Sequence, residues 1–360
     1  MTVRRLATKH RLHKVYTSSM SKKHVALFFG GRSSEHDVSL MSACNIADAL
    51  DRKKYDVTLV CINKSGQWYL VDDVREPAEG DPNITVNFGA RILCVGRGVI
   101  KPDVAFLALH GKYGEDGTMQ GAMEILGLPY VGCGVEASAI CMDKIRTKRL
   151  LQQAGIPVVA DVVVDSSNLN RSIESIASSV GQGVWFVKPS RSGSSVGITK
   201  VKNSADLRGA VAAAMEHDSE VLIEAAVNSP RELEVAVLGN HPSVEVSGVG
   251  EIMPGEEFYT YEDKYTKDSK SQAAIKADIP LELHEHIRDL ASKSYAVLGC
   301  CGLARIDFLL SDDGELFLNE VNTMPGFTNI SMHPKLMEVA GYTQSQLVDK
   351  LITLALQARA

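Results

Sequence analysis

At 360 residues and 39.0 kDa the chain is long enough for two or three domains, each with a core. Hydrophobic content of 45%, charged content of 23% and mean hydropathy of -0.02 are those of an ordinary globular chain, and no apolar run has the length to cross a bilayer. A net charge of -6, with no basic stripe interleaved with aromatics, excludes a nucleic-acid footprint and a membrane role, and favours a small-molecule substrate.

Residues 1–22 stand apart. No acidic residue precedes Glu35, while Arg4, Arg5, Lys9, Arg11 and Lys14 make the start basic without the apolar stretch of a secretory signal. A transit peptide and a disordered extension ahead of a start near Met20 both fit; the second is simpler, and the segment is left out of the fold. Seven cysteines (44, 61, 94, 133, 141, 300 and 301) include no CxxC pair. They read as buried thiols of a reducing compartment, the cytoplasm, and not as a disulfide framework or zinc site.

From Lys23 onward strand and helix patterns alternate. HVALFF is a buried strand, Gly30–Glu35 a turn, and the spacing of Val38, Met41, Ala43, Ile46, Ala49 and Leu50 suits a helix. YDVTLVCI and PDVAFLAL are further strands of a parallel sheet, with DDVREPAEGDPN a polar loop between them. Helices over Met119–Leu126 and Ala137–Ala154 follow, and Gly155-Ile156-Pro157 ends the second. A second unit holds VVADVVV, VWFVKPS, VGITKV, a helix near 204–217 and VLIEAAV. The third holds ELEVAVLG, SVEVSGVGEI, a polar loop through Lys270, a helix over 281–298, a hairpin near 303–322 and two C-terminal helices. The expected boundaries are 23–143, 144–229 and 230–360.

Two polar loops, GGRSSE and HGKYGEDG, follow strands at one sheet edge, where open α/β sheets bind ligands. Each alone is an ordinary tight turn; together they suggest a substrate pocket, with Glu35 as partner for an ammonium group. GGRSSE lacks the GxGxxG spacing of a dinucleotide site. KPSRSGSSVG at 188–197 joins two strands, which excludes a Walker loop. It reads either as a solvated hairpin loop or as a flap whose N–H groups fold over phosphates, with Lys188 at its root. Glu224 and Glu232 bracket a strand end that could meet a purine and a ribose, although surface carboxylates are the plainer reading. The long loop carrying Phe258, Tyr259, Tyr261, Lys264 and Tyr265 is read as a lid.

The hairpin carries most chemistry. ARIDFLL and ELFLNEV flank Asp312-Asp313-Gly314, so Asp307 falls opposite Glu320 and Arg305 opposite Asn322, all four on one face. Two carboxylates and an amide suit Mg²⁺. The competing reading is a structural ion-pair cluster, with Arg305 neutralising Asp307. The Thr323-Met324-Pro325-Gly326 loop, with bare N–H groups suited to an oxyanion, favours the metal.

Over nearly the whole chain after Lys22, these motifs resemble the D-alanine–D-alanine ligase family of the ATP-grasp superfamily. The residues that carry the resemblance are GGRSSEHDVS, HGKYGEDGTMQG, MDKIRTK, KPSRSGSSVG, FYTYEDKY, RIDF and NEVNTMPGFTNIS, in that order. The resemblance implies an α/β chain of three domains, an N-terminal parallel one followed by central and C-terminal α+β domains that clasp ATP. It further implies that Lys144, Lys188, Ser195 and Lys264 serve ATP phosphates, and that Glu224, Ala225, Val227 and Glu232 hold adenine and ribose. Asp307, Glu320 and Asn322 would hold two Mg²⁺ ions, with Mn²⁺ as a substitute. Glu35 and His110 would meet the first D-alanine, and Ser331 and Met332 the carboxylate of the second. Glu35, Ser194 and Tyr265 would form a triad tying lid to flap, while Arg305 and the Gly326 amide would face the oxyanion. A homodimer is implied as well.

The expected reaction proceeds through a D-alanyl phosphate, protected from water by the lid, to the dipeptide of peptidoglycan precursors. Lys264-Tyr265 matches the dipeptide-forming type. The alternatives are a ligase taking D-lactate or D-serine second, and a nucleotide-binding regulatory module without turnover.

Overall fold

A computed structural model describes residues 22–76, 84–168, 173–181, 183–253 and 272–358. The chain opens with β1 (Lys23–Gly30), α1 (His36–Ala49), β2 (Tyr55–Ile62) and the short β3 (Trp68–Val71). Next come β4 (Ile84–Asn87), β5 (Ile92–Val95), β6 (Gly98–Ile100) and β7 (Val104–Ala108). One sheet has the order β3-β2-β1-β7, with β1 parallel to both β2 and β7, as the apolar runs predict. Both faces of β1 are covered. Val25, Leu27 and Phe29 point into one apolar cluster and Ala26 and Phe28 into another, which is why the strand is continuously apolar. The small antiparallel sheet β4-β5-β6 is not foreseen in the sequence; it begins directly after the stretch read there as a polar loop.

After α2 (Thr118–Leu126), the single helix expected over Ala137–Ala154 is two: α3 (Val135–Met142) and α4 (Lys144–Gln153). Asp143 lies between them at φ -90°, ψ 100°, and its side chain accepts from Arg146 N, capping α4. The central sheet runs β10-β9-β11-β8 and is built from β8 (Asp161–Val164), β9 (Trp185–Pro189), β10 (Thr199–Val201) and β11 (Val221–Ala225). On one face Trp185, Val187, Val221 and Ile223 pack with α5 (Ile173–Ser178) and α6 (Leu207–Met215). The opposite face carries Asp161, Phe186, Lys188, Lys200 and Glu224, since cross-strand partners share a face.

The last sheet has the order β14-β13-β12-β15-β16. Its strands are β12 (Arg231–Asn240), β13 (Ser243–Met253), β14 (Gln272–Ala274), β15 (Gly302–Leu310) and β16 (Leu316–Asn322). The helix α7 (Leu281–Val297) precedes the hairpin, and α8 (Met332–Val339) and α9 (Gln344–Ala358) follow it. One face buries Ala304, Ile306, Phe308, Leu318 and Val321 together with α7, Ala137 of α3 and Leu151 of α4. Part of the other face joins α8, α9 and the N-terminal sheet in a single apolar cluster. The first and last sheets are therefore held together by shared core, whereas the central sheet has an apolar cluster of its own.

Leu151 is fully buried in the core of the last sheet. Leu151→Ala is expected to lower unfolding free energy by about 2–5 kcal/mol, the cost of an unfilled core cavity. Urea titration checks this, and a loss below about 1 kcal/mol would contradict the assignment of α4 to that core.

Candidate active site

The hairpin register brings the expected four residues together. Asp307 pairs with Glu320 and Arg305 with Asn322. Nearer the turn, however, Leu310 pairs with Leu316 and Phe308 with Leu318, so Asn319 is an extra residue in a β-bulge. A ladder continued unbroken from the turn would put Asn319 opposite Asp307 and send the Glu320 side chain into the core. The bulge changes the phase of β16, so Leu316, Leu318 and Val321 stay buried while Glu320 and Asn322 join the polar face.

That face extends one strand further. Glu234 of β12 pairs with Asp307, so one rung reads Glu234–Asp307–Glu320 across three strands. Arg305 meets Asp307 through two hydrogen bonds, Nε to Oδ1 at 2.8 Å and Nη2 to Oδ2 at 2.7 Å, and lies 3.3 Å from Glu234 Oε2. Burial disfavours the guanidinium charge, but Asp307 and Glu234 more than offset it, so its pKa rises. Asn322 Nδ2 donates to Asp307 Oδ2 at 3.0 Å and lies 3.5 Å from Glu320 Oε1. Glu232, two residues before Glu234, is half-buried on the same face, opposite Leu309.

The donor set fits a hard divalent cation: two carboxylates, joined by an amide oxygen once the Asn322 amide is turned about its last torsion. Arg305 holds both Asp307 oxygens, so a cation there would have to displace a guanidinium. Among the described residues, no group of three or more His, Cys, Asp or Glu side chains is arranged to hold a metal. Of the two alternatives foreseen, the structural ion pair is present, and a cation site would have to use the same Asp307 oxygens.

On the polar face of the central sheet, Glu224 Oε2 lies 2.5 Å from Lys188 Nζ, and Oε1 lies 2.5 Å from Lys148 Nζ. Burial pushes this carboxyl up, but Lys188 and Lys148 outweigh it and hold the pKa at about 2. Lys188 and Lys200 each lie 5.6 Å from the Phe186 ring centre. Lys144, at the first turn of α4, donates from Nζ to Ser192 O at 2.6 Å, and from its backbone N to Ser190 O at 3.0 Å. It therefore touches the flap from below. Ala225 donates its N–H to Ala160 O at 3.1 Å; Val227, half-buried, lies beyond the strand end.

The two N-terminal loops meet each other, Ser33 Oγ donating to His110 O at 2.6 Å, and the first of them meets the flap. Ser194 Oγ donates to Glu35 Oε1 at 2.5 Å, joining residues 159 positions apart. Ser194 and Ser195 have φ of 50° and 60°, in the left-handed region that costs non-glycine residues energy. Gly111 supports the contact, because a Cβ at its φ of +70° would stand 3.1 Å from Glu35 Oε1. His110 is buried, with Nδ1 donating to Met324 O at 3.1 Å and Nε2 2.8 Å from Ser42 Oγ. Burial lowers the affinity of His110 for its proton; Glu115, 3.5 Å away, and Glu35 reverse this, so the net shift is upward.

The loop after β16 docks on α1. Phe327 N donates to Ser42 Oγ at 3.1 Å, and Asn45 Nδ2 to Phe327 O at 2.8 Å. Gly326 packs tightly, since a Cβ there would meet Ser331 Oγ at 2.7 Å. Ser331 precedes α8 and its Oγ accepts from Thr328 N at 3.1 Å. The Met332 side chain lies in the core, so only its backbone N–H at the helix start is available to an anion. Lys264 and Tyr265, and with them the lid side of the triad, lie outside the described residues.

Sequence reasoning missed Lys148, Glu234, Ser42 and Glu115. Two of these had a signal: Lys148 is four residues after Lys144 on one helix, and Glu234 is two after Glu232 on one strand.

Comparisons with known proteins identify the family. The family model described as D-ala D-ala ligase N-terminus matches residues 24–133, and that described as D-ala D-ala ligase C-terminus matches residues 150–353. The chain belongs to the D-alanine–D-alanine ligase family. It is 42% identical to the D-alanine–D-alanine ligase of Sodalis glossinidius over 351 residues, which cover 93% of this chain and 95% of that relative. Identity to the ligase of Thermoanaerobacter sp. is 45% over 354 residues, 94% and 98% of the two chains. Among solved structures, the VanG D-Ala:D-Ser ligase from Enterococcus faecalis superposes with a TM-score of 0.83 at 37% identity, covering 93% of this chain and 100% of that one. The D-alanine–D-alanine ligase from Coxiella burnetii gives 0.83 at 33%, covering 94% and 95%. The fold is the α/β ATP-grasp arrangement of this family, as the motifs imply.

Ser194→Ala removes the hydroxyl that ties the flap to Glu35. The variant is expected to fold normally and to be cut faster by trypsin at Arg191; an unchanged cleavage rate would contradict the tether.

Proposed function

We propose that the chain joins two D-alanine molecules in an ATP-dependent reaction, through a D-alanyl phosphate, releasing ADP and phosphate. The observation that carries this reading is the pair of charged faces. Lys188 and Glu224 lie on the central sheet and Asp307, Glu320 and Asn322 on the last, with the flap tied by Ser194 to Glu35. A carboxylate is a poor electrophile, and phosphorylation by ATP turns it into an acyl donor that the second amine can attack.

On this reading Lys144, Lys188 and the flap amides around Ser195 hold phosphate oxygens, which requires Lys144 to leave Ser192 O and Lys188 to leave Glu224. Glu224, the Ala225 carbonyl, the Val227 amide and Glu232 hold adenine and ribose. Asp307, Glu320 and Asn322 would hold the two Mg²⁺ ions, or Mn²⁺; when bound, these ions neutralise charge on the transferring phosphoryl group. Glu35 takes the ammonium of the first D-alanine, and His110, held by Glu115 and Met324 O, orients the loop beside it. Ser331 and the Met332 N–H take the carboxylate of the second. Arg305 and the Gly326 N–H face the oxyanion of the tetrahedral adduct. Tyr265 and Lys264, outside the described residues, would serve to keep water from the acyl phosphate. The reading carries with it a cytoplasmic location, where ATP is supplied, and a homodimer.

Phosphate release with D-alanine, coupled to the mass of the product, tests the proposal. It predicts one D-alanyl-D-alanine per phosphate. The 37% identical D-Ala:D-Ser ligase makes D-serine the competitor to include, and a mixed product formed in preference would replace the dipeptide reading. Glu320→Gln keeps side-chain volume while removing a ligand charge. Its turnover is expected to fall at least about a hundredfold with the melting temperature unchanged, and near-normal turnover at saturating Mg²⁺ would contradict the site.

A further inference from the structure

Lys148 is a buried cation that the proposed chemistry leaves unused. It lies on α4, one turn after Lys144, with side-chain exposure of 5%. Its Nζ stands 2.5 Å from Glu224 Oε1 and 3.4 Å from Asp161 Oδ1. Asp161 is held in turn by Arg149 at 2.6 Å. Lys188 takes the other oxygen of Glu224 at 2.5 Å, and Lys200 is a further cation on that sheet face.

The two lysines differ in what can draw them away. Lys188 stands at the root of the flap, where phosphate oxygens would compete for it. Lys148 sits under the sheet between two carboxylates. Once Lys188 leaves, Glu224, Asp161, Lys148 and Arg149 form a neutral group; without Lys148, that group would carry a buried negative charge, which favours protonation of Glu224.

We infer that Lys148 is a positioning residue for nucleotide recognition: it anchors Oε1 and keeps Glu224 ionised while Oε2 exchanges Lys188 for the exocyclic amino group of adenine. The inference rests on the proposed ATP-dependent function. An ionised carboxylate only accepts hydrogen bonds, so it selects adenine, which offers N–H at that edge, against hypoxanthine, which offers a carbonyl oxygen. A protonated Glu224 could donate to that oxygen and would lose the distinction.

The test is calorimetric titration of Mg²⁺-ADP and Mg²⁺-IDP into the full chain near pH 7, in two buffers of different ionisation enthalpy. The wild type is expected to prefer ADP and to bind it without proton exchange. Lys148→Met is expected to take up a proton on binding ADP and to lose about tenfold or more of its preference over IDP. Lys148→Arg, which keeps the charge, is expected to restore both. In a Glu224→Gln background there is no carboxylate at this position to keep ionised, so adding Lys148→Met is expected to cost no further selectivity; this arm stands even where Lys148→Met alone does not fold. Wild-type selectivity without proton uptake in Lys148→Met would overturn the inference alone, as would equal loss of affinity for both nucleotides. A folded wild type that binds neither nucleotide would overturn the ATP-dependent reading with it.

Discussion

Charge removed from water has to be balanced within a few ångströms, and this constraint organises the molecule. The last sheet places Glu234, Asp307 and Glu320 in one row across three strands, with Arg305 as the guanidinium among them. The central sheet offers the reverse, with Lys148 and Lys188 around Glu224. One face is rich in carboxylate and the other in ammonium. A nucleotide triphosphate with its divalent cations is complementary to both at once, because its phosphates suit the lysines and its cations suit the carboxylates.

Packing explains how the two faces are held. The N-terminal sheet, α1, α8 and α9 share one apolar cluster, and the loop after β16 is hydrogen-bonded to Ser42, Asn45 and His110. Those contacts fix the hairpin relative to the loops that carry Glu35 and His110. The central sheet, by contrast, has a separate apolar cluster, and its flap meets the N-terminal unit through the hydroxyl–carboxylate contact of Ser194 with Glu35, at two left-handed serines. On the proposed reading this difference is functional. The rigid half positions the reacting groups, and the flap is the part that opens for substrate and closes over the acyl phosphate.

Much of this was legible in the chain itself. Apolar runs such as HVALFF specify a strand buried on both faces, and the alternation in RIDF and NEVN puts the polar residues of the hairpin on one side. The Asn319 bulge was not legible, because a one-residue insertion leaves the local pattern nearly unchanged while reversing the phase beyond it. The break at Asp143 is a cap signal hidden inside a continuous helical periodicity. The sheet β4-β5-β6 has strands of three or four residues, too short for a period to emerge. The Lys148–Glu224 pair joins residues 76 positions apart and exists only because α4 lies against the central sheet. Local spacing thus specified the faces of single elements, and pairing between elements required the fold.

The central claim is that two sheets grip one nucleotide, and Mg²⁺-ADP titration into Lys188→Ala and Glu320→Ala tests it most directly. The account predicts that each substitution, on its own sheet, weakens binding by at least about tenfold, as expected for the loss of a charge-assisted contact. Wild-type affinity in either variant would contradict it, because the nucleotide would then be held by one sheet alone.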